Sequence, residues 1–379
     1  MASLAAFATG ISSAPPSLDA KQRRDSSSSM SSEEGETPIS YATDPSNPPG
    51  TPAPRTTRQK VDRRPPSTFY LKPKSKMTLA ERICNLATCP PEMHELKPES
   101  LDRGPVPTQS VVKENLYIFS RALAPLAVQQ ASHSLGFHWP AWLAYPFFVW
   151  YTMHFALHWV TRINGYCVKL GTFDEKQIGR DRTPDKSVGQ LAFGITAYMV
   201  ARSGFMFVLK YNRQADVLFD FSWSYPLRLM AWQLALDYAF YCYHRASHEV
   251  DALWFIHKQH HTTKHPTAIL AILAEGIQEC LEVFLIPLFA TALIPMSFSE
   301  MWVTLIYTLY IEILGHSGVR SHWRHTSLFW LDWFGAGLAV EDHDLHHRFG
   351  KSGKNYGKQS RLWDAIFGTK GERIETWGM

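Results

Sequence analysis

The chain reads as all-α: a multi-span transmembrane helical bundle with a cytosolic histidine-rich cap, preceded by a disordered N-terminal tail. Three observations predict this. Residues 139–160 (WPAWLAYPFFVWYTMHFALHWV) run without a formal charge over a length that crosses a bilayer core, and further apolar stretches follow at 190–209, 226–243, 268–295 and 299–314. Histidines gather at helical spacing: His244 and His248 are four residues apart and project from one helical face, with Asp237 and Tyr241 on the same stripe. Residues 1–76, by contrast, are crowded with Ser, Pro, Thr, Arg and Lys, lack an apolar period and cannot bury enough surface to offset the entropy of ordering.

Three regions follow: 1–76 as polar tail, 77–225 as interface helices and the first spans, and 226–379 as the histidine-bearing region with the remaining spans. The opening MASLAAFATG has no basic stretch before a long apolar core, which argues against a secretory signal; Asp19 and Asp25 weigh against an organellar leader. At 77–89, MTLAERICNLATC carries a short helical signal stopped by Pro90-Pro91. Cys84 and Cys89 are expected to be ordinary thiols, because five unevenly spaced cysteines with no CxxC suit a reducing compartment.

The segment 139–160 is the strongest span, and His154 and His158 within it are expected as interhelical hydrogen-bond partners. In 190–209, Arg202 either faces the bundle or marks a partial span. The stretch 226–243 carries Asp237 and leads straight into His244. Residues 268–295 form a helix pair or one span; Glu275, Glu279 and Glu282 share a face that either accepts hydrogen bonds from imidazoles or meets water. The next span, 299–314, delivers His316. Glu312 lies one turn before it, as a ligand, a hydrogen-bond partner or a bundle-facing residue, of which the partner role is preferred. Beyond it, Trp323, Trp330 and Trp333 suit a membrane interface, and His322 and His325, beside Arg320 and Arg324, suit its surface.

The chemistry lies in three boxes: His244–His248 (HRASH), His257–His261 (HKQHH) and His343–His347 (HDLHH). Clustering of this kind has no packing rationale, whereas neutral imidazole is the commonest protein metal ligand. Their eight histidines exceed the roughly four ligands of one tetrahedral zinc, so two metals are implied. Imidazole alone leaves iron, zinc, copper and nickel open. The zinc-protease HExxH and paired cysteines are absent, and a redox metal beside an apolar substrate fits better. The boxes must meet on one side, so 268–314 must cross an even number of times. Arg245, Lys258, Lys264, Arg348, Lys351, Lys354 and Lys358 place that side in the cytosol. The formal charge of +4 is then membrane-surface charge, since no basic groove with base-stacking aromatics is evident.

HRASH, HKQHH, GHSG at 315–318, HDLHH, NYG at 355–357 and LWDAIFGT at 362–369 together resemble the fatty acid hydroxylase/sterol desaturase superfamily of membrane di-iron enzymes, over roughly 230–370. The resemblance implies a four-helix membrane bundle and a cytosolic cap holding two irons. It also implies O2 as co-substrate and electrons from cytochrome b5 and its NAD(P)H-dependent reductase at the endoplasmic reticulum. Its ligands would be His244, His248, His257, His260, His261, His316, His343, His346 and His347. Asp237, Asp342 and Asp344, with Glu312, would hold imidazole tautomers. The expected reaction is hydroxylation of a sterol, sphingoid base or long-chain acyl group. Desaturation at the same site, a non-catalytic lipid-sensing homologue and zinc-dependent hydrolysis are the alternatives. The four-residue first box favours hydroxylation: it stacks both imidazoles on one helical face, as in the hydroxylase side of the superfamily.

Overall fold

The computed structural model describes residues 66–95, 97, 103–175 and 179–376. Among these residues the protein is helical, without strands and with two isolated bridges, Thr108 to His322 and Thr172 to Val319. The disorder expected for residues 1–65 lies outside the described residues. From residue 66 the tail boundary needs correction. Phe69 is buried in a short turn, Phe69–Leu71, and the Asp185 carboxylate accepts the main-chain N–H groups of Thr68 at 2.7 Å and Phe69 at 3.0 Å. A single inward side chain in a polar stretch leaves no periodicity to read. Starting the chain at Met77 rather than Pro66 should therefore cost about 1.5–3 kcal/mol through loss of Phe69 burial. The check is thermal unfolding in detergent; an unchanged midpoint would show that the segment contributes nothing.

The short helical signal forms α1 (Leu79–Asn85), begun by a Thr78/Glu81 capping box. Helix α2 (Val111–Ser134) was not legible, because Lys113, Glu114 and Arg121 interrupt its apolar face. Buried Glu114 accepts hydrogen bonds from Arg162 at 2.7 Å and Tyr166 at 2.8 Å. Both donors lie on α3 (Ala141–Leu170), whose 30 residues extend about 45 Å at 1.5 Å per residue. His154 and His158 are not interhelical partners: they lie exposed on the outer face of α3, where His154 stacks on Trp150.

Helix α4 (Val188–Lys210) and the sheath around α8 (Phe298–Gly315) make the interior. Between them come α5 (Tyr225–Glu249), then α6 (Gly276–Cys280), a π-helical turn (Leu281–Leu285) and α7 (Ile286–Leu293) as one continuous run. Among the described residues, Asp185–Lys210 and Gly276–Leu293 are long and apolar enough to cross a membrane. Within the 268–295 stretch, a short turn at Ala268–Ile272 precedes the single helical run Gly276–Leu293.

Helix α8 was expected as a span, but its apolarity is that of a core helix: every residue from Phe298 to Ile311 is buried by protein. Trp302 donates to the Ala122 carbonyl of α2 at 2.7 Å, Trp159 of α3 donates to the Tyr310 carbonyl at 3.1 Å, and Gln233 of α5 donates to Thr308 at 3.0 Å. Hydropathy registers only withdrawal from water and cannot distinguish lipid from protein around a helix. Arg320 and His325, expected near headgroups, are likewise buried: Arg320 pairs with Glu375 at 2.6 Å, and His325 meets Tyr307 at 3.0 Å. Trp323 is buried too, whereas Trp333 is exposed.

Candidate metal centre

The last two turns of α5 carry His244 and His248 inward. The irregular segment after α5 supplies His257, His260 and His261, the C-cap of α8 supplies His316, and α9 (Val340–Phe349) supplies His343, His346 and His347. All nine expected ligands are buried. They fall into two groups: His244, His248, His257, His261 and His346, and His260, His316, His343 and His347. Within each group the ligand nitrogens lie within 4.8 Å of one another.

Most rings are fixed through Nδ1. His244 donates to the Tyr356 carbonyl at 2.8 Å, His346 to Lys354 at 2.9 Å, His248 to Lys351 at 3.1 Å and His347 to Thr263 at 3.1 Å. His316 donates to the Glu312 carbonyl at 2.7 Å and His260 to Leu273 at 3.3 Å. A carbonyl can only accept, so each of these rings is protonated on Nδ1 and presents an Nε2 lone pair inward. Yet His316 Nε2 lies 3.1 Å from His260 Nε2 and 2.9 Å from His343 Nε2, and His346 Nε2 lies 3.1 Å from His261 Nε2. His316 and His260 are both protonated on Nδ1, so their facing Nε2 lone pairs repel unless a cation lies between them. The Nε2 atoms of His244, His248, His257 and His347 are buried without a hydrogen-bond partner, which has the same meaning. The donor set fits a pair of imidazole-bound metals. Burial holds the His260 imidazole down to about 4, and burial together with neighbouring imidazoles holds those of His343, His346 and His347 well below their ordinary value, in the neutral ligand form.

The expected carboxylate contacts with ligand rings are not there. Asp237 accepts the N–H groups of Lys358 at 2.8 Å and Gln359 at 2.7 Å and the Ser360 hydroxyl at 2.6 Å. Asp342 pairs with Arg373 at 2.6 Å, and Asp344 with Arg180 at 2.6 Å and the non-ligand His265 at 3.2 Å. The Glu312 side chain meets Tyr198 and Arg202, so Glu312 serves His316 through its main chain alone. These carboxylates hold the loops that hold the imidazoles. Asp364, in LWDAIFGT, accepts Tyr356 N and Gly357 N at 2.8 Å each and the Thr369 hydroxyl at 2.7 Å, fixing the loop whose Tyr356 carbonyl receives His244. Lys358, expected at the cytosolic surface, points inward to Glu282 at 2.9 Å.

Gln278 was missed. Its Oε1 accepts His257 Nδ1 at 2.9 Å, and its amide nitrogen donates to Glu282 at 2.8 Å, which fixes which end of the amide faces the ring. Its sequence signal was a lone neutral amide among the glutamates of α6 and the following turn. Glu282 thus acts one step removed from the imidazole. Gln278→Leu should weaken metal binding about 10- to 100-fold at the five-histidine group. Competitive metal titration checks this, and an unchanged affinity would deny Gln278 any orienting role.

The helical scaffold thus brings nine imidazoles into two buried groups, each able to hold a metal ion. Residues 229–369 match the fatty acid hydroxylase family. The chain is 35% identical over 240 residues to the fatty acid hydroxylase vlmA of Lecanicillium, covering 59% of this chain and 66% of that protein. It is 34% identical to a putative methylsterol monooxygenase of Dictyostelium discoideum (36% of this chain, 48% of that protein) and 26% identical to the human alkylglycerol monooxygenase (40% and 32%). Residues 229–369 are thus similar to the fatty acid hydroxylase superfamily, and the chain spans less than two thirds of the length of these relatives. No solved structure matches it.

Proposed function

We propose that this protein is a membrane oxygenase that hydroxylates an unactivated C–H bond of a lipid (a sterol, sphingoid base or long-chain acyl group) with two irons, O2 and external electrons. The observation that carries the reading is the convergence of nine buried, inward-facing imidazoles in groups of five and four. The names of the relatives, a hydroxylase and two monooxygenases, support the reaction class. Bound iron would supply oxygen reduction and C–H cleavage. The chain supplies orientation and water exclusion. Main-chain carbonyls and Gln278 aim the rings, and the tightly packed α8 closes one side. A narrow cavity beside His316, with Ile272, Val283, Leu309 and Ile313 in its wall, offers apolar surface to a lipid chain.

Electrons would come from cytochrome b5 and its NAD(P)H-dependent reductase. Lys258, Lys264, Lys351 and Lys354 are exposed around the histidine boxes and suit an acidic donor. The same basic residues favour a multi-pass chain in the endoplasmic reticulum with the boxes facing the cytosol. The test is incubation of microsomes holding wild type or His260→Ala with labelled oxygen gas. Label in a lipid alcohol formed by wild type alone supports hydroxylation, and a new alkene with label only in water identifies a desaturase. Identical lipids in both would leave a non-catalytic homologue.

A further inference from the structure

Two small cavities adjoin along α8, one of about 30 Å³ between α8 and the 271–283 stretch and one of about 10 Å³ between α4 and α8. The first, beside His316, is walled by Tyr198 of α4 and by Leu309, Glu312 and Ile313 of α8. The second is walled by Ser203 and Met206 of α4 and by Trp302, Leu305 and Ile306 of α8, and Leu309 lines both. From His316 to Trp302 the column follows α8 for about 21 Å at 1.5 Å per residue. What divides it is polar: Arg202 meets Glu312 at 3.2 Å, the Tyr198 hydroxyl bridges the two, and Arg202 also donates to the Leu305 carbonyl at 3.3 Å.

Holding two helices together does not require this arrangement. A buried ion pair is on average no better for stability than well-packed apolar side chains of similar volume, and charge inside an apolar bundle usually marks a functional pathway. The fit is also incomplete, for Arg202 Nε is buried without a partner. Resting on the lipid-oxygenase reading above, we propose that Arg202 and Glu312 form the floor of the substrate pocket and determine how far a lipid chain extends beyond the reacting carbon. With the pair in place the chain ends beside the metal centre. Without the two side chains, the space they vacate joins the two small cavities and the chain runs on toward Trp302.

The experiment uses the full chain with Arg202→Ala and Glu312→Ala combined, so that neither charge is left alone. The Glu312 main-chain carbonyl that receives His316 is kept. The probe is an octadecyl alcohol with a terminal diazirine, photolysed in the protein and located by peptide mass spectrometry. In wild type, cross-links should fall around Ile272, Val283 and Ile313. In the double variant they should shift to Met206, Trp302 and Ile306, and adding Met206→Trp should abolish the shift. The same map in both proteins, wild-type cross-links already at Trp302, or no cross-links in either cavity would overturn the proposal. Shifted cross-links in a protein that oxidises no lipid would keep the floor and remove the oxygenase reading.

Discussion

Gly318→Ala is expected to prevent assembly of both histidine groups. Gly318, the last residue of GHSG, has φ +63°, a conformation that an L side chain adopts at a cost of roughly 1 kcal/mol. The larger effect is steric. A Cβ at this position would stand 2.1 Å from the Arg180 guanidinium carbon. Arg180 is fully buried and has nowhere to go: it donates to Asp344 at 2.6 Å and to the Pro266 carbonyl at 3.1 Å. It thereby ties the segment after the second box to α9, which carries the third. Separating a buried charge from its partner costs about 3–5 kcal/mol, so little folded, metal-loaded protein should accumulate. Gly104→Ala is the control, since φ there is +61° with nothing within 4 Å of the added carbon. If both variants fold and bind metal alike, Arg180 is not the tie described here.

Asp364→Ala should damage the two groups unequally. The buried carboxylate satisfies two main-chain N–H groups and a hydroxyl in the loop that holds His244. Each buried donor left unmet costs about 1–3 kcal/mol. The loop also delivers Lys358 to Glu282, and Glu282 sets Gln278 against His257. Loss of metal should therefore fall first on the group containing His244 and His257. The group around His316 and His343 takes its supports from Glu312, Leu273 and Thr263 and should suffer less. Equal loss from both, measured by metal content after mild chelation, would contradict this division.

The ligands were legible and their supports were not. Eight histidines could be named because HxxxH and HxxHH are side-chain patterns with fixed spacing, and His316 was added by the GHSG segment of the family resemblance. The groups that aim them are mostly main-chain carbonyls, at Tyr356, Lys351, Lys354, Thr263, Leu273 and Glu312, and a carbonyl leaves no trace in residue identity. Asp237 and Asp344 drew the orienting role because carboxylates commonly hold metal-bound imidazoles. The fold uses them one step further out, on loops brought in from more than a hundred residues away in sequence. Helices α3, α4 and α5 could be read from their apolar runs. The core position of α8 could not, since its polar links are Trp, Thr and Gln contacts to helices distant in sequence.

The central claim is that the two histidine groups hold two irons that act on a lipid. Elemental analysis of the full chain, purified in detergent from iron-supplied cells, tests it most directly when paired with turnover in the same preparation. The account predicts two irons per chain in active protein, one for each group. Replacing His316 by alanine should reduce this to one or fewer and abolish product. Active protein carrying stoichiometric zinc and no iron would contradict it.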